Sequence, residues 1–158
     1  INNDELSRNA RLKRKAPIKT SKADLRYDFS KYKVKIQPGF PFKAKTIIPY
    51  DKVSKKALFV LSTEIIENHN WALIEYYSDG IRGVTESAFK LFGNSFLILF
   101  KDEFMVMTCE DNGGGLFPIG AKNHIRSFLT TMSELINELD LEFLEERYEK
   151  MFNKTASL

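Results

Sequence analysis

Apolar residues recur along the chain with two different periods, and the switch between them divides it into elements. Between residues 50 and 69, Val53, Ala57, Val60, Leu61 and Ile65 fall on one stripe while Lys52, Lys55, Lys56, Glu64 and Glu67 lie off it. Side chains three and four apart share a helix face, so this spacing predicts a helix. Asp51 stands where a capping side chain would accept a first-turn amide. From Trp71 the period shortens. WALIEYYSDGIRGV alternates around Asp79-Gly80, where the glycine's tolerance of positive φ suits a hairpin turn. SFLILFKDEFMVMTCE has two apolar runs on either side of Lys101-Asp102-Glu103 and predicts a second hairpin. Those runs are apolar at nearly every position, which predicts strands covered on both faces.

Further upstream, Tyr27, Phe29, Tyr32, Val34 and Ile36 predict a strand over residues 27–36, with lysines on its other face. QPGFPF follows, and its prolines and glycine mark a turn or connector. TESAFKLFGN is apolar at both periods and too short to assign, with Gly93-Asn94 closing it. Near the end, Ile125, Phe128, Leu129, Met132, Leu135, Ile136 and Leu139 form one helical stripe. Leu141, Leu144, Tyr148, Met151 and Phe152 form another after Asp140, as one long helix or two that meet at a bend. The polar faces are acidic, with Glu134, Glu138, Asp140, Glu142, Glu145, Glu146 and Glu149.

This order predicts an α+β fold with a largely antiparallel sheet of about four to six strands. A helix precedes the main strands, and one or two C-terminal helices pack on the sheet. Residues 1–26 read as a basic N-terminal arm and residues 27–158 as a single α+β domain.

Length agrees with that division, since 158 residues suffice to bury about two thirds of the unfolded surface in one core. Thirteen Phe, six Tyr and one Trp point to a core of bulky rings, each burying roughly 150–250 Å². Cys109 is the only cysteine, which excludes an internal disulfide and a four-cysteine zinc site and suits a reducing compartment. No run of eighteen apolar residues occurs, and no apolar stretch follows the basic residues near the start. The expectation is a cytoplasmic protein that does not enter a membrane.

Charge adds an asymmetry. Residues 1–35 hold eleven Lys or Arg against four acids, a surplus of +7, and the remaining 123 residues carry −4. Within the arm, Arg8, Arg11, Lys13, Arg14, Lys15, Lys19, Lys22 and Arg26 form the main candidate site, densest in RLKRK. Such residues meet either phosphates or an acidic protein surface. Tyr27, Phe29 and Tyr32 would add stacking on single-stranded bases.

Other candidate chemistry is thinner. DNGGG, from Asp111, offers glycine amides to an anion but lacks the Gly-Lys-Ser/Thr ending of a phosphate loop. His69 and His124 belong to no metal-ligand spacing, and Cys109 follows FMVMT on a buried strand where its thiol would be inert. Glu75, Asp79, Glu86, Asp102, Glu110 and Asp111 supply carboxylates but no strand-borne Asp followed by Glu-x-Lys. Phe143, Tyr148 and Phe152 are candidate docking aromatics on the last helix.

These readings assign no catalytic residue, metal or cofactor. They favour a non-enzymatic interaction module acting through protein association, its basic arm docking on an acidic surface of a partner or sister chain. A nucleic-acid-binding protein is the alternative, and a small metal-dependent nuclease or toxin-type enzyme a weaker one.

Overall fold

The computed structural model describes residues 27–37, 42–85, 94–111 and 119–153. The basic arm, ESAFKLFG (86–93) and the DNGGG glycines lie outside those residues. The described chain forms a six-stranded antiparallel sheet with three α-helices, so the α+β architecture holds. Strands β1 (Lys35–Gln37), β2 (Lys43–Pro49), β3 (Ala72–Tyr77), β4 (Gly80–Val84), β5 (Asn94–Phe100) and β6 (Phe104–Asp111) lie in the order β1-β2-β6-β5-β4-β3. Helix α1 (Lys55–Asn68) joins β2 to β3; α2 (Ile119–Glu138) and α3 (Leu141–Phe152) close the described chain.

Several local expectations need correction. The segment predicted as a strand over residues 27–36 is mostly a docked turn. Phe29–Lys31 is a short 3₁₀ helix capped by Asp28, and only Lys35–Gln37 pairs as β1. Tertiary contacts decide this: the Phe29 amide donates to Ser133 Oγ on α2 at 2.7 Å, and Phe29 enters the core. KAKTIIP, to which the pattern assigned nothing, is β2, with Ala44, Thr46 and Ile48 buried and the alternate residues facing outward.

Ser54, not Asp51, caps α1, its Oγ accepting from the Ala57 amide at 3.2 Å. The helix ends where Asn70 takes a left-handed φ of 55°. Asn70 N–H then donates to the Glu67 carbonyl and Trp71 N–H to the Ile66 carbonyl, each at 3.0 Å, closing a Schellman turn. That turn swings Trp71 into the core.

Both expected hairpins form. In the first, Tyr77 pairs with Gly80, so Ser78 and Asp79 make the turn and Gly80 begins β4 without a left-handed φ. In the second, β5 and β6 pair along their whole length from Asn94–Asp111 to Phe100–Met105. The two terminal stripes are separate helices, because Asp140 Oδ1 accepts from the Glu142 amide at 3.1 Å and starts α3 anew.

One core joins the helices to a single sheet face. Ile48, Ile81, Phe96, Ile98, Met105 and Met107 point into it from the strands; Phe59, Leu61, Ile65, Phe128, Met132 and Leu144 meet them from the helices. Helix α2 crosses β2 and β6, and α1 packs between α2 and α3. The opposite face carries no helix among the described residues. Of the two strands expected to be covered on both sides, β5 leaves Leu97 38% exposed on this face, while β6 holds Val106 at 9%.

Candidate interaction surface

Strand alternation and register define the outer face, since residues paired across neighbouring strands point to the same side. One cross-sheet row runs Ile47, Val106, Leu99, Gly80, Tyr77. The next runs Lys45, Thr108, Leu97, Arg82, Glu75. A third runs Lys43, Glu110, Ser95, Val84, Ala72. The first row is thus without charge from one flank to the other, while the second and third carry Lys45 and Lys43 on β2, Glu110 on β6, Arg82 on β4 and Glu75 on β3.

Exposure across the face is uneven, and Val106 near its middle is only 9% exposed. Ile47 is 45% exposed, Leu97 38% and Tyr77 60%, whereas their in-facing neighbours Ile48, Ile98 and Phe96 are sealed. Ile74, 51% exposed, sits where the β3–β4 register shifts between Leu73 and Glu75. These four apolar side chains stand open on one face of the sheet.

The flanks differ in charge. On the β1–β2 side, Lys35 lies directly opposite Lys45, with Lys43 two residues away. Like charges directly opposite each other repel, and no ion pair to Lys35 or Lys45 occurs among the described residues. Lys43 approaches Glu110 at 3.8 Å. On the β3–β4 side, Arg82 Nε meets Glu75 Oε1 at 3.0 Å, and Tyr77 Oη donates to Glu75 Oε2 at 3.1 Å. The Glu75 carboxylate raises the Tyr77 hydroxyl above its ordinary pKa.

A separate polar knot lies at the end of the sheet where α2 begins. Asn94 satisfies its neighbours in the orientation where Nδ2 donates to Asp111 Oδ1 at 3.2 Å. Its Oδ1 then accepts from the Ala121 amide at 3.3 Å and from His124 Nδ1 at 2.9 Å. Trp71 meets His69 on one side and His124 edge-on, and His69 Nε2 lies 2.9 Å from Thr131 Oγ1. Burial is the main cause lowering both imidazoles from their ordinary pKa. These groups are mutually engaged and form a packed joint.

The other candidates from the sequence scatter. Arg8, Arg11, Lys13, Arg14, Lys15, Lys19, Lys22, Arg26 and Glu86 lie outside the described residues. Tyr148 and Phe152 place their rings 5.5 and 5.2 Å from Phe59, and Phe143 is half-buried against the core. Tyr148 and Phe152 fasten α3 to α1. Glu145 accepts from Ser54 Oγ at 2.7 Å and Glu149 pairs with Lys56, so part of the acidic helix face is already engaged.

Asp79 and Asp102 sit in the two hairpin turns, away from Asp111 at the other end of β6. Among the described residues no group of three or more His, Cys, Asp or Glu could hold a metal ion. Cys109 is sealed on the inner face of β6, with its thiol pushed up to about 12 by burial. No described helix is long and apolar enough to cross a membrane.

Sequence reading missed the open face because it weighed the apolar runs of β5 and β6 alone. The signal was present in the polar alternation of Lys43, Lys45, Arg82, Thr108 and Glu110, which all fall on one side once the register is known. Compared with known protein families, curated proteins and solved structures, the chain matches none.

Proposed function

We propose that the chain is a non-enzymatic interaction module acting through protein association, and that the open sheet face is its docking surface. One observation carries this reading: Ile47, Leu97 and Tyr77 stand exposed on a face with no helix over it among the described residues, while the helices pack on the opposite face. Lys35 and Lys45, which make no ion pair among the described residues, favour a partner that brings carboxylates. A centre of apolar contacts with a charged rim is the ordinary anatomy of a protein interface.

Site-specific photo-crosslinking in cells tests it. Benzoylphenylalanine at Leu97 should give discrete protein adducts, and the same group at Glu103, in the β5–β6 turn, should not. If Leu97 yields no protein adduct, or yields no more than Glu103, the reading is wrong.

Nucleic-acid binding is the second reading, favoured by the Lys35–Lys45 pair with Lys43 beside it. It requires retention on single-stranded DNA or RNA at low salt that falls steeply as salt rises. A chain that flows through at about 20 mM salt, where the screening length is still some 20 Å, does not bind in this way.

A further inference from the structure

We infer that the occupant of the open face is a second copy of this chain, stacked sheet against sheet about a two-fold axis that passes beneath Leu97 and runs along the strands. The inference rests on the association reading and names the partner from the charge pattern of the face itself.

Aligned sheets pack about 10 Å apart with strands crossing by about 30°. A two-fold between them lies in the contact plane, either along the strands or across them, and the cross-sheet rows decide between these. With the axis across the strands, each residue meets its own strand's counterpart, so Lys45 lies over Lys45 and the basic flank faces itself. With the axis along β5, the row Lys45, Thr108, Leu97, Arg82, Glu75 is reversed over its copy. Lys45 then faces Glu75, Thr108 faces Arg82, and Leu97 meets Leu97.

The neighbouring row agrees. Reversed, it sets Ile47 over Tyr77, Val106 over Gly80 and Leu99 over Leu99. Each contact joins apolar to apolar, and the bulk of Val106 meets the one position on the row without a side chain. In the third row Lys43 meets Ala72, Glu110 meets Val84 and Ser95 meets Ser95, so no like charges are brought together. Five strands spaced about 4.8 Å apart and about 20 Å long give a face of roughly 500 Å² in projection on each copy. Two such faces reach the ~1,000 Å² at which specific interfaces begin.

Lys45 supplies the sharpest contact. Among the described residues it makes no ion pair, and in the stack it reaches a carboxylate that already holds Arg82 at 3.0 Å. A glutamate between two cations, made twice by symmetry, fixes the orientation of the pair.

Sedimentation equilibrium of the full chain is the test. The wild-type chain should be a dimer at tens of micromolar. Glu75→Lys should weaken it at least tenfold by gathering three cations, Lys45→Glu should weaken it less because Arg82 remains, and Leu97→Arg should abolish it. The decisive arm mixes the two charge variants. A heterodimer of Lys45→Glu with Glu75→Lys restores one wild-type contact and one reversed contact, so the mixture should dimerise about as well as the wild-type chain. Thermal unfolding followed by circular dichroism confirms that each variant is folded. A monomeric wild-type chain at 100 µM (~1,000 Å² interfaces are at the weak end), charge variants that dimerise unchanged, or a mixture that stays dissociated overturns the inference. If Leu97 crosslinks a different protein while the chain is monomeric, the second copy is refuted and the association reading stands.

Discussion

The imidazole of His69 lies stacked on the indole of Trp71, 4.8 Å between centroids and 24° between planes. His124 meets the same indole edge-on at 5.6 Å and 90°, so the chain's two histidines flank its single tryptophan. Burial lowers both imidazoles below the ordinary 6.5. His69 further lowers His124, whereas Asp111 raises His124, and the Ser127 carbonyl and Glu134 raise His69.

The consequence for stability has a definite sign. Above pH 6.5 both rings are neutral in folded and unfolded chains, and stability is flat. Below it the unfolded chain takes up protons first, so stability falls with pH until the folded rings protonate as well. Melting temperatures between pH 8 and pH 5.5 should therefore decline below the ordinary imidazole value of 6.5. In the double variant His69→Gln, His124→Gln the decline should flatten. An equal slope in both proteins counts against this assignment.

Ser133 is expected to anchor the segment before β1. Its Oγ accepts from the Phe29 amide at 2.7 Å and donates to the Leu129 carbonyl at 3.0 Å. Ser133→Ala leaves the buried Phe29 N–H without its acceptor, a loss of about 1–3 kcal/mol. Urea unfolding measures it. Hydrogen exchange should also show the amide of Phe29 losing protection before those of β5 and β6. A change under about 0.5 kcal/mol, the level of an ordinary surface substitution, would mean that water replaces the hydroxyl.

Gly83 and Gly80 should respond differently to alanine. A Cβ on Gly83 would stand 2.4 Å from the Ala72 carbonyl oxygen and 2.4 Å from the Phe96 ring, and neither can yield without moving a strand or a core ring. On Gly80 the nearest atoms are at 3.4 and 3.5 Å. Gly83→Ala is expected to cost about 1–3 kcal/mol as an overpacked site, and Gly80→Ala far less. Equal midpoints in chemical denaturation would refute the contrast.

Cys109 should be silent in the folded chain. Its thiol is raised to about 12, first by burial and then by Asp111, so the thiolate is scarce at pH 8 as well as shielded. An aromatic disulfide reagent should react only as the chain unfolds, with a rate that follows the unfolding curve. Rapid labelling under native conditions would contradict the sealed position of β6.

The amino-acid pattern alone determined the elements whose residues answer mainly to their neighbours along the chain. Helix α1, the helical stripes of α2 and α3, and the two hairpins follow from spacings of three to four or of two, and from short polar corners that close locally. Tertiary structure decided the rest, because there the competing partners are distant in sequence. Ser133 holds Phe29 out of a strand, and β2 finds its register against β6. Phe59 claims Tyr148 and Phe152, which on a helical wheel look like free docking rings. The outer face is the clearest case. An apolar run such as FLILF carries no mark of which side meets a helix. Only the packing of α1, α2 and α3 onto one side leaves Ile47, Leu97 and Tyr77 open, with charges ordered around them.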